Sequence, residues 1–279
     1  MPDPQICIRK DTLYCDKKNA ANIIWHLIDY AERSNANSDN DENIDWHHVE
    51  DSLGNFDYTD CFNTYGEHWD YENDRPQKVW KTALTNQYHA LQIAAAVLTI
   101  PTLFSDWVNQ IKIVAEKKKD FSDLIQPGDI FINFNYTTVL EKIYNIQNVY
   151  HLHGKQGQKN IVFGHGNINF CCNEYEKIIP GSSTILRNIH EALYKDTSTI
   201  ISENTKLWNH LSDITSIYTY GFSYSAVDIP YINKIITSCP ICKKWYIEAF
   251  PPKDILDKYI KCVKNGGFAG EILIFKTSN

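Results

Sequence analysis

Apolar and polar positions alternate along the chain with spacings that predict helices first and strands later. A helical spacing of apolar residues covers 19–33, and a longer one begins at Pro76, where proline suits the first turn of a helix. Pro101 interrupts the long run, and a second helix is predicted to continue to about Lys119. We therefore expect a helical insertion over residues 76–120, forming an antiparallel pair on one side of a sheet.

From residue 129 onward, short apolar segments alternate with helical ones. The predicted strands cover residues 129–134, 148–152, 160–164, 214–221, 243–249 and 271–276. The predicted helices among them cover residues 137–145, 182–195, 200–212, 228–238 and 252–264. Strands separated by helices of this length indicate βαβ units and a mostly parallel sheet. We predict one α/β domain over residues 1–279, with a three-layer Rossmann-like fold that carries the helical insertion.

Composition favours a folded protein and disfavours several classes of partner. The 279 residues are 43% hydrophobic and 22% charged, with a net charge of −7, which is typical of a globular chain. The sequence has no long basic stripe, so direct nucleic-acid binding is not expected. The N-terminus lacks the apolar segment of a signal peptide, and the nearest apolar run, Leu91 to Ile100, is short for a membrane span. We expect a cytoplasmic protein without membrane association, whose eight cysteines are reduced.

Polar strings follow the predicted strands at four places, residues 133–137, 151–154, 164–167 and 221–228. Ligands of open parallel sheets bind beyond the carboxyl ends of the strands, so these strings are candidates for a binding site. The candidate residues are Asn133, Asn135, Tyr136, Thr137, His153, Gly154, Gly164, His165, Gly166, Gly221, Ser223 and Asp228. We expect the side chains of Asn135, His153 and Asp228 to converge on one hollow at the rim of the sheet.

The residues alone leave other interpretations open. Asp228 either caps the helix that follows it or helps to bind an anion at the N-terminus of that helix. His151 and His153 alternate along a strand and so point to opposite faces, which disfavours a shared metal ion, and we predict no metal site. Cys239 and Cys242 form either a zinc or redox site or a pair of ordinary thiols in a helix-to-strand turn. We favour ordinary thiols, because no second ligand pair has suitable spacing.

Together these strings resemble the AbiH family of bacterial abortive-infection proteins. The resemblance extends over roughly residues 44 to 250, and it is carried by the order and spacing of the motifs. The matching segments are Trp46-His47-His48-Val49-Glu50, Asn133-Phe134-Asn135-Tyr136-Thr137 with Leu140-Glu141, His151-Leu152-His153-Gly154, Gly164-His165, and Gly221-Phe222-Ser223 with Asp228-Ile229-Pro230-Tyr231.

The order of strands and motifs in this family is distantly similar to that of sirtuin-like domains, which bind or cleave NAD. The similarity implies roles for individual residues. Asn135 would position the nicotinamide ribose or an attacking water, and His153 would act as general base. Gly221 and Ser223 would lie near ribose or phosphate. The resemblance thus implies an anti-phage defence protein that binds or hydrolyses NAD, with a phage component as trigger and an oligomer as one expected form. The alternatives are a non-catalytic nucleotide-binding or phage-sensing module, and an inactive remnant.

One feature of the family is missing from this sequence. AbiH proteins open with a strand and a Gly-Asn-Gly-Phe-Asp loop that is a candidate for phosphate binding, whereas this chain opens with Met1-Pro2-Asp3-Pro4. We therefore expect the first strand and the glycine loop to be missing. Without the loop a pyrophosphate would lose its glycine-rich cradle, which favours the non-catalytic interpretation.

Overall fold

The computed structural model describes residues 21, 24, 25, 29, 46–59, 61–62, 76–159, 161–170, 177–249 and 252–277. The chain divides into two compact units. Unit 1 comprises Met1–Phe104 and Phe163–Lys195, and unit 2 comprises Ser105–Val162 and Asp196–Asn279.

Helices and short strands follow one another along the described residues. The helices are α1 (Trp46–Asn55), α2 (Pro76–Val97), α3 (Ile100–Gln110), α4 (Lys119–Leu124), α5 (Val139–Tyr144), α6 (Ser183–Ala192), α7 (Thr197–Glu203), α8 (Thr205–His210), α9 (Ile229–Ser238) and α10 (Lys253–Asn265). The strands are β1 (Phe131–Asn133), β2 (Val149–His151), β3 (Ser216–Thr219), β4 (Lys244–Glu248) and β5 (Glu271–Phe275).

In unit 1, α2 packs against α6. The contact is close because the inward face of α2 carries small residues such as Ala90 and Ala94, both fully buried, while α6 contributes branched residues such as Ile189. Gly181, just before α6, has a φ of +85°, and a Cβ there would lie 2.4 Å from the carbonyl oxygen of Ala83. Only glycine fits this close approach of the two backbones.

Unit 2 contains two parallel sheets. β1 pairs with β2, which places Asn133 opposite His151, and the other sheet has the order β3-β4-β5. Trp245 of β4 is fully buried in a hydrophobic cluster, and Ile132 of β1 packs against the same cluster. The two sheets therefore share one core, and this mixture of helices and parallel strands agrees with the predicted α/β class.

The predicted strand over 160–164 is wrong for the four residues of it that the structure describes. The backbone N–H groups of this segment donate to acceptors in different parts of the chain instead of to one neighbouring strand. The Val162 amide donates to the His153 carbonyl at 2.8 Å, and the Gly164 amide donates to Glu50 Oε1 at 3.3 Å. Only an isolated parallel bridge forms, between His165 and Tyr194.

The helix that was predicted to reach about Lys119 ends at Gln110 instead. The side chain of Gln156 accounts for this end, because its Nε2 donates to the carbonyls of Val108 at 3.0 Å and Ile111 at 2.6 Å. These carbonyls are satisfied without a further helical turn. Lys119, at which the predicted helix was expected to end, is instead the first residue of α4.

Most of the predicted helix over 19–33 lies outside the described residues; residues 21, 24, 25 and 29 of that range are helical. The stretch Gln77–Gln110 is long and apolar enough to cross a membrane by length and composition, because it contains an 18-residue window with a mean hydropathy of 1.4. This is weak evidence, because core helices of soluble proteins pass the same test and 44% of the window is buried within the protein. A turn at Leu98 and Thr99 also divides the stretch.

Candidate functional site

The end of β1 is shaped by a turn between two asparagines. Asn133 is buried, and its Oδ1 accepts a hydrogen bond from the amide of Asn135 at 2.9 Å. An asparagine that bonds the backbone two residues later makes a compact turn, which leaves Asn135 exposed to solvent. Tyr136 then points inward, and its hydroxyl donates to the carbonyl of Val162 at 2.9 Å.

At the end of β2, His151 is held by a carboxylate from α5. Its Nε2 lies 2.9 Å from Oε1 of Glu141, and its Nδ1 lies 3.3 Å from the carbonyl oxygen of Asn135. Both ring nitrogens face oxygen atoms, which fixes the orientation of the ring. Lys155 Nζ approaches the same Glu141 oxygen at 3.2 Å. This arrangement ties the asparagine turn of β1 to α5 and to the loop after β2.

The hydrogen bonds at Glu141 change its acidity. Burial acts to raise the pKa of this carboxyl, but hydrogen bonds from its own amide, from His151 and from Lys155 outweigh it and hold the pKa below its ordinary value. Glu141 is therefore a carboxylate at neutral pH. Within the described part of the chain, its buried second oxygen, Oε2, has no hydrogen-bond partner.

His153, two residues further on, faces a second carboxylate. Its Nε2 lies 3.6 Å from Oδ1 of Asp228, and its side chain is only 3% exposed. The other oxygen of Asp228 accepts a hydrogen bond from Ser225 Oγ at 3.2 Å. Asp228 stands at the N-terminal cap position of α9, but its side chain does not cap that helix. The interpretation of Asp228 as a helix cap alone is therefore wrong.

Aromatic rings surround His153. The ring centroids of Phe134, Tyr231 and Tyr136 lie 5.4 Å, 5.5 Å and 6.3 Å from that of the histidine. Such an apolar enclosure strengthens the interaction with Asp228 and keeps water away from the ring. Of the three residues that were expected to share one hollow, the structure brings His153 and Asp228 together. Asn135 lies in the exposed turn and contacts Asn133 and His151 through its backbone.

The fourth string is anchored by a residue that the sequence did not single out. The Gly221 amide donates to Oε2 of Glu248 at 3.0 Å, and Thr277 Oγ1 donates to Oε1 of the same buried carboxylate at 2.7 Å. Gly221 has a φ of +59°, which favours glycine, and Ser223 is half-buried beyond it. Glu248 is the last residue of β4. A carboxylate at the end of a buried strand is the signal that could have identified it.

The third string belongs to unit 1 and has different partners. The Gly164 amide donates to Oε1 of Glu50, whose Oε2 lies 3.6 Å from Lys195 Nζ. A Cβ on Gly164 would lie 2.0 Å from the carbonyl oxygen of Leu193, so this glycine allows two backbones to meet. Gly166 is exposed. Glu50 belongs to the motif Trp46-His47-His48-Val49-Glu50, but the motif does not predict its ion pair with the buried Lys195.

His165 is fully buried in unit 1 and is bonded to backbone. Its Nε2 lies 3.0 Å from the carbonyl of His190, whose own Nε2 lies 2.8 Å from the carbonyl of Asn167. Burial lowers the pKa of His165 to about 4 and also lowers the pKa of His190. The ring leaves no room beside it, because a Cβ on Gly54 would lie 2.8 Å from its carbon atoms. These contacts are those of a neutral core histidine.

The cysteine pair lies in the turn between α9 and β4. Burial raises the pKa of Cys239 to about 12 and raises the pKa of Cys242 as well, so both thiols are protonated at neutral pH. Among the described residues, no group of three or more His, Cys, Asp or Glu side chains is arranged to hold a metal ion.

Comparison with known proteins adds one finding. Residues 10–247, most of the chain, match the model of the family described as "Bacteriophage abortive infection AbiH". No curated protein and no solved structure matches the chain.

Proposed function

The chain belongs to the AbiH family of bacteriophage abortive infection proteins, and from this premise we propose that it acts in phage defence by hydrolysing a nucleotide. NAD is the proposed substrate, in keeping with the resemblance of the motifs to sirtuin-like domains. The proposal includes a three-layer sirtuin-like arrangement, a cytoplasmic location and a phage component as trigger.

The observation that carries this proposal is the pairing of two strand-end histidines with carboxylates in unit 2. His151 lies 2.9 Å from Glu141, and His153 lies 3.6 Å from Asp228. A histidine oriented by a carboxylate is the usual arrangement for general acid–base catalysis. The ends of parallel strands are also where such folds bind their ligands.

Hydrolysis of NAD at this place would follow from the roles of these groups. His153 accepts a proton from water, whose oxygen attacks C1′ of the nicotinamide ribose. The bond between C1′ and the nicotinamide nitrogen breaks, and its electron pair leaves with nicotinamide, so that ADP-ribose is the other product. Asp228 stabilises the imidazolium, and Asn135 holds the water or a ribose hydroxyl. The aromatic rings around His153 must move before water reaches it.

Incubation of the pure protein with NAD, with and without phage lysate, tests the proposal. We expect nicotinamide release, and we expect His153→Ala to reduce it by about 10²–10⁴-fold, the usual contribution of a general base. His210→Gln is the matched control, because His210 is an exposed histidine of the same unit. Absence of nicotinamide in every condition would contradict the proposal.

A second function is favoured by the enclosure of His153. With only 3% of the side chain exposed, the structure suits a module that binds a nucleotide or a phage component without turning it over. For such a module, equilibrium dialysis would show NAD bound to the protein while no nicotinamide is released. An inactive remnant would show neither binding nor release.

A further inference from the structure

The space between β1 and β3 in unit 2, the central position, holds none of the strands that the structure describes. The described strands form two parallel sheets, β1-β2 and β3-β4-β5, and β1 does not pair with β3. Ile132 of β1 and Ile217 of β3 nevertheless pack against the same cluster, which contains Trp245. Beyond the carboxyl ends of the two strands, the rings of Phe134 and Phe222 lie 4.7 Å apart. β1 and β3 therefore flank the central position over one shared core.

The order of the strands agrees with one strand missing from the central position. A doubly wound parallel sheet of the proposed kind has the order 3-2-1-4-5-6, with its first strand in the middle. β2 and β1 correspond to strands 3 and 2 of this order, and β3, β4 and β5 correspond to strands 4, 5 and 6. Among the described strands, none corresponds to strand 1.

Backbone groups along both sides of the central position are unpaired. The Phe131 amide donates toward β2, so the amide and carbonyl of the next residue, Ile132, point to the other side. The Thr215 carbonyl accepts a hydrogen bond from the residue before β4, so the backbone groups of Ser216 and Tyr218 point away from β4. Within the described part of the chain these groups have no hydrogen-bond partner. Two facing rows of backbone donors and acceptors match an extended polypeptide segment.

The exposure of the flanking strands is a second, independent observation. Tyr218 is 49% exposed although it lies within β3, and Ile132 in the middle of β1 is only half-buried. Strands in the middle of a parallel sheet are normally covered by neighbouring strands and by helices on both faces. Solvent therefore reaches a part of the sheet that a further strand would cover.

We propose that unit 2 accepts one further strand at the central position, donated by another polypeptide. The donated segment has about five residues, the usual length of a strand, and runs parallel to β1 and β3. It contains no proline, because it bonds along both edges, and its side chains toward the Trp245 cluster are apolar. The inference rests on the proposed function in one respect, since it gives the chemistry of the phage component that acts as trigger.

Hydrogen exchange of individual backbone amides, followed by NMR, tests the inference with a synthetic peptide. The four central residues of the peptide alternate valine and isoleucine, and threonine and lysine at each end keep it soluble. We expect the peptide to slow exchange at Ile132 and Tyr218. Exchange at Ile274 should not change, because this amide lies on the outer edge of β5. The measurement uses no NAD, so a failure of the proposed hydrolysis does not affect it.

A second peptide with N-methyl groups on alternate central residues is the matched control. It can form hydrogen bonds along one edge only, whereas the central position has two edges. By fluorescence anisotropy it should bind at least about tenfold more weakly, the factor expected for the loss of one or two hydrogen bonds. Equal affinity of the two peptides would show addition to a single edge and would overturn the proposal.

Tyr218→Pro removes one amide that faces the central position and should weaken binding of the first peptide at least about tenfold. Ile274→Pro is the matched control, because Ile274 lies on the other edge of the same sheet and is similarly exposed, at 42%. It should leave the affinity unchanged. Circular dichroism and thermal unfolding check that each variant is folded. If Tyr218→Pro does not fold, the two peptides are compared on the unsubstituted protein.

Three results would overturn the proposal. The first is that the peptide does not bind. The second is weaker binding in Ile274→Pro than in Tyr218→Pro, which would place the peptide at β5. The third is slow exchange at Ile132 and Tyr218 in the protein alone, which would show that the chain itself already fills the central position.

Discussion

Histidines in the two units have opposite kinds of partner. In unit 1, His165 is fully buried and its ring lies against the carbonyl of His190. The carboxylate of Glu50 accepts a hydrogen bond from the Gly164 amide and forms an ion pair with Lys195. In unit 2, His151 and His153 each face a carboxylate. Histidines in motifs that look alike in sequence can therefore be chemically different.

This difference separates structural from catalytic candidates. Burial and the neighbouring His190 ring lower the pKa of His165 more than its hydrogen bonds to the backbone raise it, so His165 does not accept a proton at neutral pH. A histidine beside a carboxylate is stabilised when it becomes charged, which is what a general base requires. We therefore expect the Glu50 and His165 region to contribute to stability and the strand ends of unit 2 to carry the proposed chemistry.

The largest effect on stability is expected from Glu50→Gln. Lys195 is almost fully buried, and the substitution removes the carboxylate that lies 3.6 Å from its ammonium group. The free energy of unfolding should fall by about 3–5 kcal/mol, measured by urea denaturation. The double variant Glu50→Gln with Lys195→Met should recover part of this loss. Equal stability of Glu50→Gln and the unsubstituted protein would remove the structural role of the pair.

Gly164→Ala should have the next largest effect. A Cβ would lie 2.0 Å from the backbone carbonyl of Leu193, so one of the two segments must shift and weaken the bridge at His165. We expect a loss of about 1–3 kcal/mol of unfolding free energy by urea denaturation, the range for overpacked interiors. Gly157→Ala is a partial control, because a Cβ there meets no atom within 4 Å, although its φ of +92° also disfavours alanine. A loss no greater in Gly164→Ala than in Gly157→Ala would contradict the close approach.

Acid should destabilise the protein through His165. Its pKa is lowered from 6.5 to about 4 in the folded state, so the unfolded chain binds this proton more tightly. Stability contributed by the neutral ring is complete above pH 6.5 and is lost as the pH falls from 6.5 toward 4. Urea denaturation at several pH values should show this slope, with a shallower slope in His165→Gln. Identical slopes would show that His165 does not titrate in this range.

The smallest effect on stability is expected from Glu141→Gln in unit 2. The carboxylate is partly exposed, and Lys155 is 40% exposed, so the pair resembles a surface ion pair worth less than about 1 kcal/mol. Its role is to position His151 and the Asn135 turn. Nicotinamide release should therefore fall while the urea midpoint stays nearly unchanged. A large loss of stability with full turnover would reverse the roles of the two regions.

The alternation of strands and helices in unit 2 could be predicted because each element has a clear apolar spacing. The 160–164 segment could not, since Ile161, Val162 and Phe163 look like a strand while their backbone partners come from distant parts of the chain. The end of α3 at Gln110 could not be predicted either, because it is determined by hydrogen bonds from the distant side chain of Gln156. Local patterns carry no information about such long-range hydrogen bonds.

The candidate site was predictable in part. Strand-end positions made Asn133 and His153 candidates, because a polar residue at the end of a buried strand is unusual, and Asp228 became a candidate because it precedes a helix. The sequence could not show that His165 and His153 have different surroundings, since each precedes a glycine.

The most direct test of the central claim is the rate of nicotinamide release by Asp228→Asn. The substitution keeps the size of the side chain but removes the charge that faces His153. We expect the unsubstituted protein to release nicotinamide from NAD and Asp228→Asn to be slower by at least about tenfold, the factor that corresponds to 1.4 kcal/mol in the barrier. Turnover by Asp228→Asn at the unsubstituted rate, or no turnover by either protein, would contradict it.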